Sequence, residues 1–248
     1  GKEFISSVVA GYDVIIRLGR ALKGAEHYAR GFHPTGTCGA FGAAAVAGRL
    51  LGLKDDSFLH ALGIAGSQTS GSMEYLAQGA WTKRLHPGWA SHSGIWAALL
   101  ARSGYTGPTT ILEGRDGFLQ AYSGDPDPSL VLKDLGVEYQ VTRTSVKPHT
   151  CCRFKQGPID CLLDLRSAYG LDPMDVAEVR VGVLSAGMKL VSEPIESKRH
   201  PVSVVDMQFS MPFGVAVALL YGKASLAEYT MEVAERPEVR DLMARICC

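Results

Sequence analysis

From Gly36 to Leu53 most positions are glycine or alanine, interrupted by Phe41 and Val46 and closed by Leu50 and Leu51. Side chains this small let neighbouring helices come close, so the segment reads as a helix packed on all sides at the centre of a helical assembly. Gly52 supplies its stop. The flanking sequence agrees. Phe4, Ile5, Val8, Val9, Tyr12, Ile15 and Ile16 recur at three- and four-residue spacing, one apolar helical face. Asp55, Asp56 and Ser57 offer N-caps for a helix through Ile64 and Ala65. A further helix is expected over Gly88–Arg102, with Ile95, Trp96, Leu99 and Leu100 inside, and a short one over Glu113–Tyr122.

The pattern changes at Ser123-Gly-Asp-Pro-Asp-Pro-Ser129, a loop by its turn chemistry. Beyond it, Glu138–Arg143 and Val176–Leu184 alternate as strands do, with a helix over Pro158–Tyr169 between them and another over Asp206–Tyr221. The expected fold is therefore mostly α: a helical domain over residues 1–142 and a smaller α+β domain over 143–248. The longest uncharged apolar run, Met211–Gly222, is too short to span a bilayer and contains Pro212, so no membrane partner is expected. Six cysteines without C-x-x-C or zinc spacing fit a reducing compartment, the cytoplasm.

Charge is where function enters. The chain is neutral, with 25 basic and 25 acidic side chains. Yet Trp81–His92 and Thr142–Gln156 together hold six Lys/Arg and three His in 27 residues, with no Asp or Glu. The first stretch is expected in a loop leading into the Gly88 helix. A neutral protein that concentrates cations in two places is building a pocket for a small polyanion, not a nucleic-acid surface. No G-x-G-x-x-G, P-loop, G-x-S-x-G or H-E-x-x-H occurs, which removes the usual support for nucleotide, serine-hydrolase and metalloprotease readings. What remains suits proton abstraction next to a carboxylate. A Lys beside other cations has a depressed pKa and serves as a base, and the same cations hold an enolate-like intermediate. Lys83 and Lys147 are the candidate bases. Arg84, Arg153 and Lys155 are the candidate carboxylate clamps, and His86 and His149 the proton donors. His33, ahead of the Gly/Ala segment, either caps that helix or faces the anion. Cys151–Cys152 is either a nucleophilic pair or two half-buried residues of a turn.

Several segments resemble the MmgE/PrpD family. They are Gly31-Phe-His33-Pro34-Thr-Gly36 with Gly39-Ala-Phe-Gly42-Ala-Ala-Ala, Lys83-Arg84-Leu-His86-Pro87-Gly88, Gly107-Pro108 with Ile111–Gly114 and Gly117-Phe118, Lys147-Pro148 with Cys152-Arg153, and Val205–Phe213. The matches run in order along nearly the whole chain. The resemblance implies a large helical domain with a smaller α+β lid, a homodimer, and an active site between the domains. It also implies lyase or epimerase chemistry on small di- or tricarboxylates without metal or organic cofactor: dehydration of a substrate such as 2-methylcitrate first, decarboxylation or epimerisation as alternatives. It carries two active-site lysines to Lys83 and Lys147. A family histidine meets Cys152 here, which leaves His149 or Cys152 to fill its role. The family's first catalytic segment would precede Gly1, so the 248-residue chain alone is expected to show little turnover.

Overall fold

The computed structural model describes all residues 1–248. Helices make up nearly all its regular structure, and its one sheet has two short strands, as a mostly α chain requires. The chain divides into two compact units. The first comprises Gly1–Tyr75 and Trp81–Thr144; the second comprises Ser145–Cys248 together with the short segment Leu76–Ala80.

The first unit is built on four long helices: α1 (Lys2–Ala21), α2 (Pro34–Leu50), α3 (Asp55–Gly66) and α4 (Thr82–Arg102). The Gly/Ala segment is α2, and it is central. Cys38, Ala40, Phe41 and Ala44 are wholly buried on it. Close approach is literal: a Cβ on Gly94 of α4 would stand 2.5 Å from the Ala44 amide nitrogen and 2.6 Å from the Ala40 carbonyl oxygen. On the other side, a Cβ on Gly42 would lie 2.2 Å from Ile15 Cγ1 of α1. Glycine at these two positions sets the spacing of three helices.

Four expectations for this unit are corrected. The helix expected from Gly88 starts at Thr82 and runs straight through Pro87, so the first cationic stretch is helical and not a loop. Pro87 is the sixth residue of α4 and lacks an N–H, so only one intrahelical bond, to the Lys83 carbonyl, is lost there. Ile95 and Trp96, expected inside, are half exposed, because α4 buries Ala90, Gly94, Ala97, Ala98 and Ala101 instead. The expected helix over Glu113–Tyr122 shrinks to Phe118–Tyr122, preceded by turns at Gly114 and Gly117. Finally, Gln140–Arg143 is a 3₁₀ turn, not a strand. Its backbone is claimed by a buried ion pair on α1. Asp13 accepts the Gln140 N–H at 2.7 Å, while Arg17, held by Asp13 at 2.7 Å, donates to the carbonyls of Val131, Lys133, Asp134 and Glu138. An alternating sequence forms a strand only where a neighbouring strand offers partners, and none does here.

The second unit packs α5 (Arg153–Tyr169), α6 (Val204–Gln208), α7 (Met211–Tyr221) and α8 (Pro237–Ala244). Every residue of α7 from Met211 to Leu219 is buried, the mark of a helix at the centre of its unit. The helix expected over Asp206–Tyr221 is interrupted between α6 and α7, where Ser210 caps α7 by accepting the Phe213 N–H at 3.0 Å. The strand expected over Val176–Leu184 survives only as β1 (Val179–Arg180), parallel to β2 (Ile246–Cys247). The expected Pro158 helix begins five residues earlier, at Arg153. Pro158 is thus the sixth residue of α5, as Pro87 is of α4, and each cationic stretch supplies the first turns of a long helix.

Candidate functional site

In the first unit, α2 and α4 bring two histidines together. His33 is the N-cap residue of α2, extended at φ −100° and ψ 112°, and its N–H donates to the Gly71 carbonyl at 2.8 Å. His86 projects from the second turn of α4. The two Nδ1 atoms are 2.8 Å apart, and the edge-on ring of Tyr75, which is buried, lies 5.7 Å from each imidazole. A hydrogen bond between two Nδ1 atoms needs one proton and one lone pair. The dyad therefore contains one donor and one acceptor, and charging both rings would break it. Burial, and then the positive charge of Lys83 one turn earlier on α4, lowers the His86 pKa. The pair accordingly offers a proton acceptor beside a proton donor near neutral pH.

The other members of the first stretch have different surroundings. Lys83 is half-buried. The Arg84 guanidinium is exposed and lies over the Trp81 ring, 5.0 Å from its centroid. His92 stacks on Trp89 at 5.1 Å with Trp96 beyond it, on the exposed side of α4, and takes no part in the dyad.

Sequence reasoning missed His27, which is wholly buried. Its Nδ1 bonds the Tyr122 carbonyl at 2.9 Å and so carries the proton, leaving Nε2 to accept from the Thr37 hydroxyl at 2.9 Å. Thr37 lies one turn after His33, so His27 steadies the end of α2 that carries the dyad. Burial lowers its pKa. Tyr75 was missed as well; neither residue falls in a charge or spacing pattern that would have marked it.

In the second unit, the candidate residues lie on the segment 147–152 and the first turn of α5. Lys147 and Arg153 are exposed. His149 Nε2 bonds Asp160 Oδ1 of α5 at 2.8 Å, an Asp–His pair that fixes the ring. Cys152 is half-buried and is the N-cap residue of α5. Cys151 is buried, and that burial pushes its pKa up, which favours the thiol over the nucleophilic thiolate.

Lys155, expected to clamp substrate, is fully buried. Its ammonium donates to the Met207 carbonyl at 2.8 Å and to Tyr229 Oη at 3.3 Å, so it serves the core of the unit and does not reach a ligand. Burial depresses its pKa from 10.5 to about 8. Arg143, in the first unit, is ion-paired with Glu138. The absence of acids along the second stretch thus does not persist in space: Asp160 and Glu138 come from outside it.

Comparison with known proteins bears on both units. The MmgE/PrpD N-terminal domain matches residues 1–131, and the MmgE/PrpD C-terminal domain matches residues 149–248. A cis-aconitate decarboxylase-like protein, oryM, of Aspergillus oryzae is 29% identical over 261 residues, covering 100% of this chain and 53% of its own length. The cis-aconitate decarboxylase of Aspergillus terreus is 30% identical over 259 residues, covering 99% of this chain and 52% of its own length. The 2-methylcitrate dehydratase of Cupriavidus necator is 25% identical over 213 residues, covering 82% of this chain and 42% of its own length. The chain spans about half the length of the curated relatives it matches.

Proposed function

The chain belongs to the MmgE/PrpD family, and from that premise we propose that the whole protein is a lyase for a small di- or tricarboxylate, working without a cofactor, with decarboxylation of a cis-aconitate-like acid as its leading reaction. The observation that carries the proposal is the His33–His86 dyad beside Lys83. Loss of CO₂ breaks a carbon–carbon bond and leaves its electron pair on the substrate, spread into the remaining carboxylate and double bond. A cation next to that carboxylate stabilises the charge, and a neutral histidine donor returns a proton to carbon. Lys83 and the dyad suit these two tasks. Lys147, His149, Cys152 and Arg153 are proposed as further participants.

Dehydration is the second reading. There the ring that donates its Nδ1 proton within the dyad has a free Nε2 that removes a proton next to a carboxylate, and the ring that accepts it carries a proton on Nε2 that goes to the departing hydroxyl. Decarboxylation leads because relatives named for it match essentially all of this chain, whereas the dehydratase matches 82% of it at lower identity. A homodimer in the cytoplasm completes the proposal.

The test is to incubate the whole protein separately with cis-aconitate and 2-methylcitrate, measuring CO₂ release and product by mass spectrometry. CO₂ from cis-aconitate supports the leading reading, and water loss from 2-methylcitrate supports the second. Solvent deuterium incorporated without either product points instead to epimerisation. Inertness toward all such acids refutes the proposal, and size measurement by light scattering decides the dimer.

A further inference from the structure

One buried amide in the second unit organises the segment on which Lys147 and Cys152 are carried. Gln156, on the first turn of α5, is 2% exposed. Its Oε1 accepts the His149 N–H at 3.0 Å. Its Nε2 faces the His149 carbonyl at 3.1 Å, the Cys151 carbonyl at 3.2 Å, the Cys151 thiol at 3.2 Å and the Cys152 carbonyl at 3.4 Å. One side chain therefore pairs with the backbone of 149 in both directions, as a neighbouring strand would, and also reaches 151 and 152. An amide NH₂ has two protons, so these four acceptors share them, and no water is needed to satisfy the group.

The amides of Thr150, Cys151 and Cys152 are tied to main chain. Thr150 N–H donates to the Ala224 carbonyl at 3.1 Å, Cys151 N–H to the His149 carbonyl at 2.8 Å, and Cys152 N–H to the Gln208 carbonyl at 3.0 Å. Among residues 149–152, His149 is thus the one whose amide depends on a side chain, and that amide is two residues from Lys147.

We propose that Gln156 is a positioning residue that fixes the conformation of residues 147–152, and through it the placement of Lys147 and Cys152 for turnover. The catalytic half of this proposal rests on the lyase reading; the structural half does not. Glutamine is required because an apolar residue leaves the His149 N–H and the Cys151 carbonyl without partners, and asparagine is one methylene too short to reach both ends.

The experiment compares wild type with Gln156→Met, which keeps the volume and removes the polar atoms. In the 248-residue chain, hydrogen exchange at the His149 amide should quicken by about tenfold or more, while amides of Val215–Leu219 in α7 exchange as in wild type. Alkylation of Cys152 by iodoacetamide should quicken in parallel. In the whole protein, kcat should fall by about tenfold with KM changed less than about threefold, since the groups are present but misplaced. Unchanged exchange at His149 overturns the structural half. Faster exchange with an unchanged kcat overturns the catalytic half. A whole wild-type protein that turns over no carboxylate sinks the lyase reading, and the exchange rates still decide whether Gln156 holds the segment.

Discussion

His33 Nδ1 and His86 Nδ1 stand 2.8 Å apart although 53 residues separate them in sequence. They share one proton because α2 starts at one histidine and the second turn of α4 presents the other. In the whole protein, replacing either with alanine should lower kcat by about 10²-fold or more if the dyad transfers the proton. Steady-state kinetics measures this, and wild-type rates in both variants would remove the dyad from the mechanism.

The proton affinity of His86 is set by burial and by Lys83, both acting downward. The folded chain therefore prefers neutral His86, and its titration should lie below the ordinary value of 6.5. In Lys83→Ala the repelling charge is gone, so the midpoint should move up toward that value. NMR titration of the His86 ring in the 248-residue chain reads this without any activity assay. A midpoint that does not move, or moves down, contradicts the assignment.

His27 makes the same argument for stability. Its folded pKa is depressed by burial, so its contribution is fully present above about pH 6.5 and is lost as the pH falls, when the unfolded chain takes up the proton first. Between about pH 7 and pH 5, urea melts of wild type should lose stability faster than those of His27→Gln, which has no proton to gain. Parallel curves would show that His27 is not the group responsible.

Lys155 works in the same direction with pH, in a higher range. Its folded pKa of about 8 lies below the ordinary 10.5, so the cost of burying the charge is fully present below about pH 8. As the pH rises from there, the folded chain gives up a proton that the unfolded chain retains, and stability increases. The stability of wild type minus that of Lys155→Met should rise by on the order of 2–3 kcal/mol between about pH 7.5 and pH 10.5. Taking the difference cancels the cysteines, which titrate in the same window. A flat difference would mean that Lys155 is not buried with its charge.

Gly94→Ala places a methyl group where Ala44 N and Ala40 O already lie, at 2.5 and 2.6 Å. Both are backbone atoms and cannot rotate away. The variant should lose about 1–3 kcal/mol, read as a lower urea midpoint. A neutral effect would mean that α2 and α4 can separate without cost.

Legibility followed the range of the interactions. The Gly/Ala segment fixed a central helix from composition alone, because close helix approach demands small side chains wherever it occurs, and α2 is that helix. Motif spacing likewise brought out the family, since H-P-T-G and K-R-L-H-P-G are contiguous in the chain. Alternation at Glu138–Arg143 misled, because Asp13 and Arg17, more than a hundred residues away, take the backbone groups a strand would use. Counting cations misled at Lys155 for a similar reason: sequence records its charge but not that its ammonium turns inward to the Met207 carbonyl.

By itself, then, the sequence determined a mostly α chain, its family, and the stretches that carry the candidate chemistry. These depend on periodicity, side-chain size and contiguous motifs, all of which are local. Only the tertiary structure decided that His33 meets His86, that His149 is held by Asp160, and that Gln156 holds the backbone from His149 to Cys152. Each of those contacts is a hydrogen bond between groups that no pattern links along the chain. Their geometry exists only after the helices have packed.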